Sequence, residues 1–186
     1  MQIDIIEETG DHVSASKFPP DGDYSDLREN PQDIARMPLA REYLPLRNFL
    51  AALNGPDTIF ATSDVATKSD SPAAVSGGAA AYEFASQVGI VFTTPTLNWE
   101  RRHYAELCAA LKELLERDAS DAMRGALKIS PCEFTAEKRS GFCLEVLLIA
   151  EGTSAQQAEL RWGLGLARAQ QALLFSSRVL KQQVGE

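Results

Sequence analysis

From Ser154 to Gln183 the chain carries its longest uninterrupted helical pattern, with no proline inside it. Gly152 separates this stretch from the segment before it. Thr153 or Ser154, followed three residues later by Gln156 or Gln157, forms a capping box, a strong start signal. At 1.5 Å per residue the pattern predicts about 45 Å of helix. Two apolar stripes run along it. Trp162, Leu166, Ala169, Leu173 and Leu180 alternate four- and three-residue steps, with Ser176 in the one polar slot, and define a face that belongs on the core. Leu160, Leu164, Ala167 and Leu174, with Gln171 interleaved and Phe175 beside them, form a second stripe roughly 160° around the helix at 100° per residue. A second copy of the chain or the chain's own N-terminal segment has to cover that stripe.

Upstream, Gln2 to Glu7 reads as a short strand suited to a sheet edge, with Ile3 and Ile5 on one side and Ile6 on the other. Residues 9–29 hold Gly10, Pro19, Pro20, Gly22 and five acids with few apolar positions, so they predict an irregular arm anchored by Phe18, Tyr24 and Leu27. Asn30 and Pro31 start a short helix that Pro38 is expected to stop. Pro45 starts another, with Tyr43, Leu46, Leu50 and Leu53 inward and Asn54, Gly55 and Pro56 ending it. Thr58 to Thr67 alternates as a strand, Lys68 to Ala79 reads as a flexible connection, and Ala81 to Thr93 as a central strand with Tyr82, Phe84, Val88, Ile90 and Phe92 on one face. Asn98 is placed to cap an amphipathic helix whose inner face is Tyr104, Leu107, Cys108, Leu111, Leu114 and Leu115. Strands at Ala126–Phe134 and Gly141–Ala150 follow as a hairpin. With Ala136, Glu137, Lys138 and Arg139 as its loop, Cys132 stands across from Cys143.

The order is strand, helix, two strands, helix, two strands, long helix. It predicts an α+β fold: an antiparallel β-sheet from two helix-strand-strand units, packed against helices, with the long C-terminal helix last. Residues 1–40 form an acidic N-terminal strand and irregular arm, and residues 41–186 a single α+β domain. In element order, size and acidity the chain resembles the small acidic dimeric chaperones that hold bacterial type III secretion effectors, a likeness at the level of fold. The resemblance implies a dimer that holds a partner rather than an enzyme.

Charge sharpens the picture. The net charge is −8, and residues 1–40 carry nine acids against three bases, so most of the excess sits in the arm. Such a balance disfavours nucleic acid as partner, because affinity for phosphate rests on Lys and Arg displacing counterions, and it disfavours an anionic membrane for the same reason. With no apolar run of 18 residues and acids among the first eight, neither a membrane span nor a secretory leader is expected, and the setting is taken as cytoplasmic.

Chemistry is sparse in the sequence. Three cysteines and two histidines, without CxxC or HExxH spacing, predict no metal site and no cofactor. Cys108 falls on the apolar stripe of its helix and reads as a small core residue. A reducing cytoplasm favours packed, unbonded thiols at Cys132 and Cys143. Trp99, Arg101, Arg102 and His103 make a basic, aromatic rim able to meet an anion. Ser63 or Ser86 with His103 and Asp64 could make a nucleophile set only on paper, since no GxSxG frames either serine. The reading is therefore a non-catalytic protein-binding or chaperone-like module, a homodimer through Leu160, Leu164, Ala167 and Leu174, with a protein or peptide partner. The alternative is a small enzyme or ligand-binding protein with a pocket near His103, between the sheet and the arm.

Overall fold

A computed structural model describes residues 1–7, 15–20, 25–74, 80–117 and 123–184. The strands are β1 (Gln2–Glu7), β2 (Ser16–Phe18), β3 (Phe60–Ala74), β4 (Ala80–Phe92), β5 (Met123–Phe134) and β6 (Arg139–Gly152). The helices are α1 (Pro38–Glu42), α2 (Leu44–Leu53), α3 (Arg101–Glu116) and α4 (Ala155–Val184). No helix of the described residues is long and apolar enough to cross a membrane.

The six strands form one sheet in the order β1-β5-β6-β4-β3, with β2 also on β5. The expectation of an antiparallel sheet needs correction, because the sheet is mixed. β3, β4, β6 and β5 pair antiparallel, as two back-to-back hairpins must, but β1 and β2 both run parallel to β5. Alternation of side chains fixes which face of a strand is apolar. It says nothing of the direction in which that strand meets a partner more than a hundred residues away, and only a long connection permits the parallel choice. β6 is the central strand, and β4 lies one place outward.

One face of the sheet carries the core. Phe84, Val88, Ile90 and Phe92 of β4, Leu127 and Ile129 of β5, and Leu144, Val146 and Leu148 of β6 are buried there with Met1 and Ile3 beneath α2, α3 and α4. A smaller cluster occupies one end of the opposite face: Ala61, Val91, Cys132, Phe134 and Cys143, with Phe18 and Trp99 packed on it. β3 serves both faces through a bulge. Thr62 pairs with Ile90 and Asp64 with Gly89, so Ser63 is the extra residue and the parity of the strand changes there. Phe60 and, past the bulge, Val65 therefore both join the main core. Gly89 is required at this point, since a Cβ on it would stand 2.4 Å from the Ser63 hydroxyl.

Several local signals act differently from their sequence reading. The segment after Asn30 is a 3₁₀ turn, Pro31–Arg36, without a side-chain cap, and Pro38 begins α1 instead of ending a helix. β3 continues to Ala74, so most of the expected flexible connection from Lys68 is strand, and residues 75–79 lie outside the described residues. The β5–β6 loop is 135–138, one residue earlier than expected, with Lys138 in the left-handed region at φ 50°. Cys132 consequently faces Gly141, and Cys143 faces Ser130.

The arm packs where it is described. Leu27 is buried, Phe18 rings meet Phe134 at 5.9 Å, and Tyr24 lies outside the described residues. The Arg28 guanidinium donates to the carbonyls of Gly55, Thr58 and Phe60 at 2.9–3.2 Å and so ties the arm to the turn between α2 and β3. On the far side, α3 guards the sheet edge. Glu116 accepts from the Ile3 amide at 3.0 Å and Lys112 donates to the Ile3 carbonyl, which occupies polar groups that β1 would otherwise offer to another strand. Lys112 also donates to the Glu116 carboxylate at 2.6 Å, and that bond first, with the one from the Ile3 amide, holds the Glu116 carboxyl below its usual range.

Candidate functional site

α4 starts as its capping box requires. The Gln157 amide donates to the Ser154 hydroxyl at 3.2 Å, and the Gln157 side-chain oxygen accepts from the Thr153 amide at 2.7 Å. Its inner stripe is locked on the sheet. Trp162, Leu166, Ala169, Ala172 and Leu173 are buried, and each large side chain among them contributes about 1.5–3 kcal/mol by leaving water. The Trp162 indole stacks on Phe84 at 4.4 Å, meets Tyr43 edge-on at 5.7 Å, and donates to the Ser86 hydroxyl at 2.8 Å. Gly163 lets Pro45 of α2 close in, for a Cβ there would sit 3.0 Å from the proline ring.

Fixing the inner face fixes what the outer face shows. Leu160 is 66% exposed, Leu164 56% and Phe175 56%, with Ala167 and Gln171 exposed between them. Leu174 is half-buried between α2 and α3, in contact with hollows lined by Phe49 and Leu53 on one side and by Leu114, Arg117 and Phe175 on the other. Leu44, 62% exposed at the head of α2, and Val179 extend the strip. Their exposure was not legible in advance, because both sit at the margins of their helices' apolar stripes. An open hollow of about 600 Å³ lies along the strip's first turns, between Pro45 and Leu160, Gly163 and Leu164. Chemically the surface is an apolar seam with an acid, Glu159, near its start and a basic flank of Arg117, Arg168 and Arg178 around Leu174 and Phe175.

The other expected site residues are spread out. Trp99 precedes α3 and lies edge-on against Phe134 at 5.0 Å with the Arg139 guanidinium 4.8 Å above its ring, so it roofs the smaller cluster. Arg101 pairs with Glu7 of β1, and Arg102 pairs with Glu100 at 2.8 Å. His103 stands half-exposed on the first turn of α3. Ser86 belongs to the core beneath Trp162, and Ser63 to the bulge of β3. A cleft of about 480 Å³ does open between the arm and β3, lined by Ser25, Asp33, Arg36, Thr62, Ser63 and Asp64, among others; His103 is not part of it. Within it the Asp33 carboxylate accepts from Ser25 at 2.7 Å and from Arg36 at 2.8 Å.

Among the described residues, no group of three or more His, Cys, Asp or Glu is placed to hold a metal ion. The three thiols are free and buried. Burial pushes Cys108 up to about 12. Cys132 donates to the Cys143 sulfur, and that bond with burial holds its proton well above the usual thiol range. Compared with protein families, with curated proteins and with solved structures, the chain finds no match.

Proposed function

We propose that this protein is a non-catalytic, chaperone-like protein-binding module of the cytoplasm that works as a homodimer through the outer face of α4. One observation carries the reading: Leu160, Leu164 and Phe175 are each more than half exposed along a single line on a helix whose other face is sealed in the core. Leaving three such side chains in water forfeits about 25 cal/mol for each Å² of apolar surface, and a contiguous strip of this kind marks an interface. The arm is a poor cover, being acidic, sparse in apolar residues and costly to order. A second copy offers the same apolar strip. Three reduced, buried thiols suit a reducing compartment. Sedimentation at micromolar concentration tests the dimer. The parent is expected to run as a dimer and Leu164→Glu, which puts two carboxylates into the seam, as a monomer with an unchanged circular dichroism spectrum; a monomeric parent overturns the reading.

A second reading has one observation of its own. The cleft between the arm and β3 brings Ser63, Asp64, Asp33 and Arg36 to one concave site, which supports a small-molecule-binding protein with a polar ligand. Saturable binding of a small molecule that is lost in Asp64→Ala, while the protein stays monomeric, would favour it.

A further inference from the structure

We infer that two copies pair their α4 helices antiparallel, with the two-fold axis crossing the seam between Ala167 and Gln171; this rests on the dimer proposed above. The seam residues fall at 160, 164, 167, 171, 174/175 and 178, a near-heptad spacing. Turned end for end about its midpoint, this series maps onto itself. Leu164 meets Leu174 and Phe175 of the second copy, Ala167 meets Gln171, and Leu160 meets the aliphatic stem of Arg178. The small Ala167 beside the axis, with Gly163 one turn away, lets the helices approach closely. An isologous contact of this kind closes on itself and stops at two chains.

Charge chooses the direction. Antiparallel pairing sets Glu159 of each chain beside Arg178 of the other, twice, at the two ends of the seam. Parallel pairing would instead put Glu159 against Glu159 and Arg178 against Arg178, within the roughly 8 Å over which charges act at physiological salt. The helix dipoles favour the same choice, because each positive N-terminus then lies along a negative C-terminus. Between the two ends the apolar run from Leu160 to Phe175 spans about 22 Å at 1.5 Å per residue. Beside the first turns of α4 the hollow at Pro45 adjoins the contact.

Mild oxidation of variants with one added cysteine reads the direction. Leu164→Cys and Phe175→Cys chains, each purified alone, are expected to stay uncrosslinked, because 164 faces its own copy across about 15 Å of helix axis. Mixed after exchange, they are expected to form a covalent heterodimer on a non-reducing gel; the native thiols are buried and do not compete. Glu159→Lys should weaken the dimer about threefold per symmetric pair, and adding Arg178→Glu should restore it. Cross-linking of Leu164→Cys with itself, or a dimeric parent whose mixed variants never cross-link, overturns the antiparallel register and leaves self-association standing. A parent that sediments as a monomer overturns both.

Discussion

Asn98 shows how one side chain can be misread for a reason that physics supplies. An asparagine just ahead of an amphipathic pattern reads as a helix cap, yet α3 begins at Arg101 without a side-chain cap, and Asn98 is buried. Its amide instead staples the end of β4. The side-chain oxygen accepts from the Phe92 amide at 2.9 Å and from the Tyr104 hydroxyl at 2.6 Å, while its nitrogen donates to the Phe92 carbonyl at 2.9 Å. The same donor and acceptor suit both roles, and the Phe92 amide and carbonyl with the Tyr104 hydroxyl satisfy them inward. Asn98→Ala strands three buried polar groups, each costing about 1 kcal/mol or more, so a loss of about 3 kcal/mol in urea unfolding is expected. Tyr104→Phe removes one partner of the three and should cost about 1 kcal/mol. Equal, near-zero losses for both would show that the cluster is not a staple.

At the scale of elements, periodicity located five of the six strands and the helices α2, α3 and α4 but not the registers between them; β2 falls in the stretch expected to be irregular. β4, α3 and α4 bury the faces their patterns assign, because one apolar stripe per element leaves a single way to meet the core. The hairpin is different. Its loop of 135–138 moves the pairing by two residues, which keeps every side chain on its face and therefore leaves no trace in the pattern. The bulge at Ser63 is silent for a similar reason, since a polar residue fits either side of a half-buried strand. Cys132 and Cys143 consequently sit two positions apart along the ladder, hydrogen-bonded and unbonded covalently. A thiol reagent at pH 8 should leave the native protein almost unreacted, since burial holds Cys108 at about 12, mostly protonated there, and shields the hairpin pair from the reagent. In denaturant without reductant three thiols are expected, and a count of one would mean that the pair had closed into a disulfide.

For the whole molecule, the second apolar stripe of α4 was the most legible feature and the parallel strands the least. Two stripes on one helix are written in thirty consecutive residues, whereas the pairing of β1 with β5 joins segments separated by β2, three helices and a hairpin. The proposed dimer would tie the molecule's stability to its concentration. If a second copy covers Leu160, Leu164 and Phe175, unfolding produces two chains from one dimer, and mass action makes the melting temperature rise with protein concentration. A hundredfold increase adds about 2.7 kcal/mol per dimer, and with an unfolding entropy of about 2.1 cal/mol/K per residue over both chains this shifts the melting temperature by about 3–4 °C. Calorimetry at 1 and 100 µM is expected to show that rise for the parent and none for Leu164→Glu, whose chains no longer associate. Identical melting temperatures for the parent at both concentrations would place the cover of the seam elsewhere.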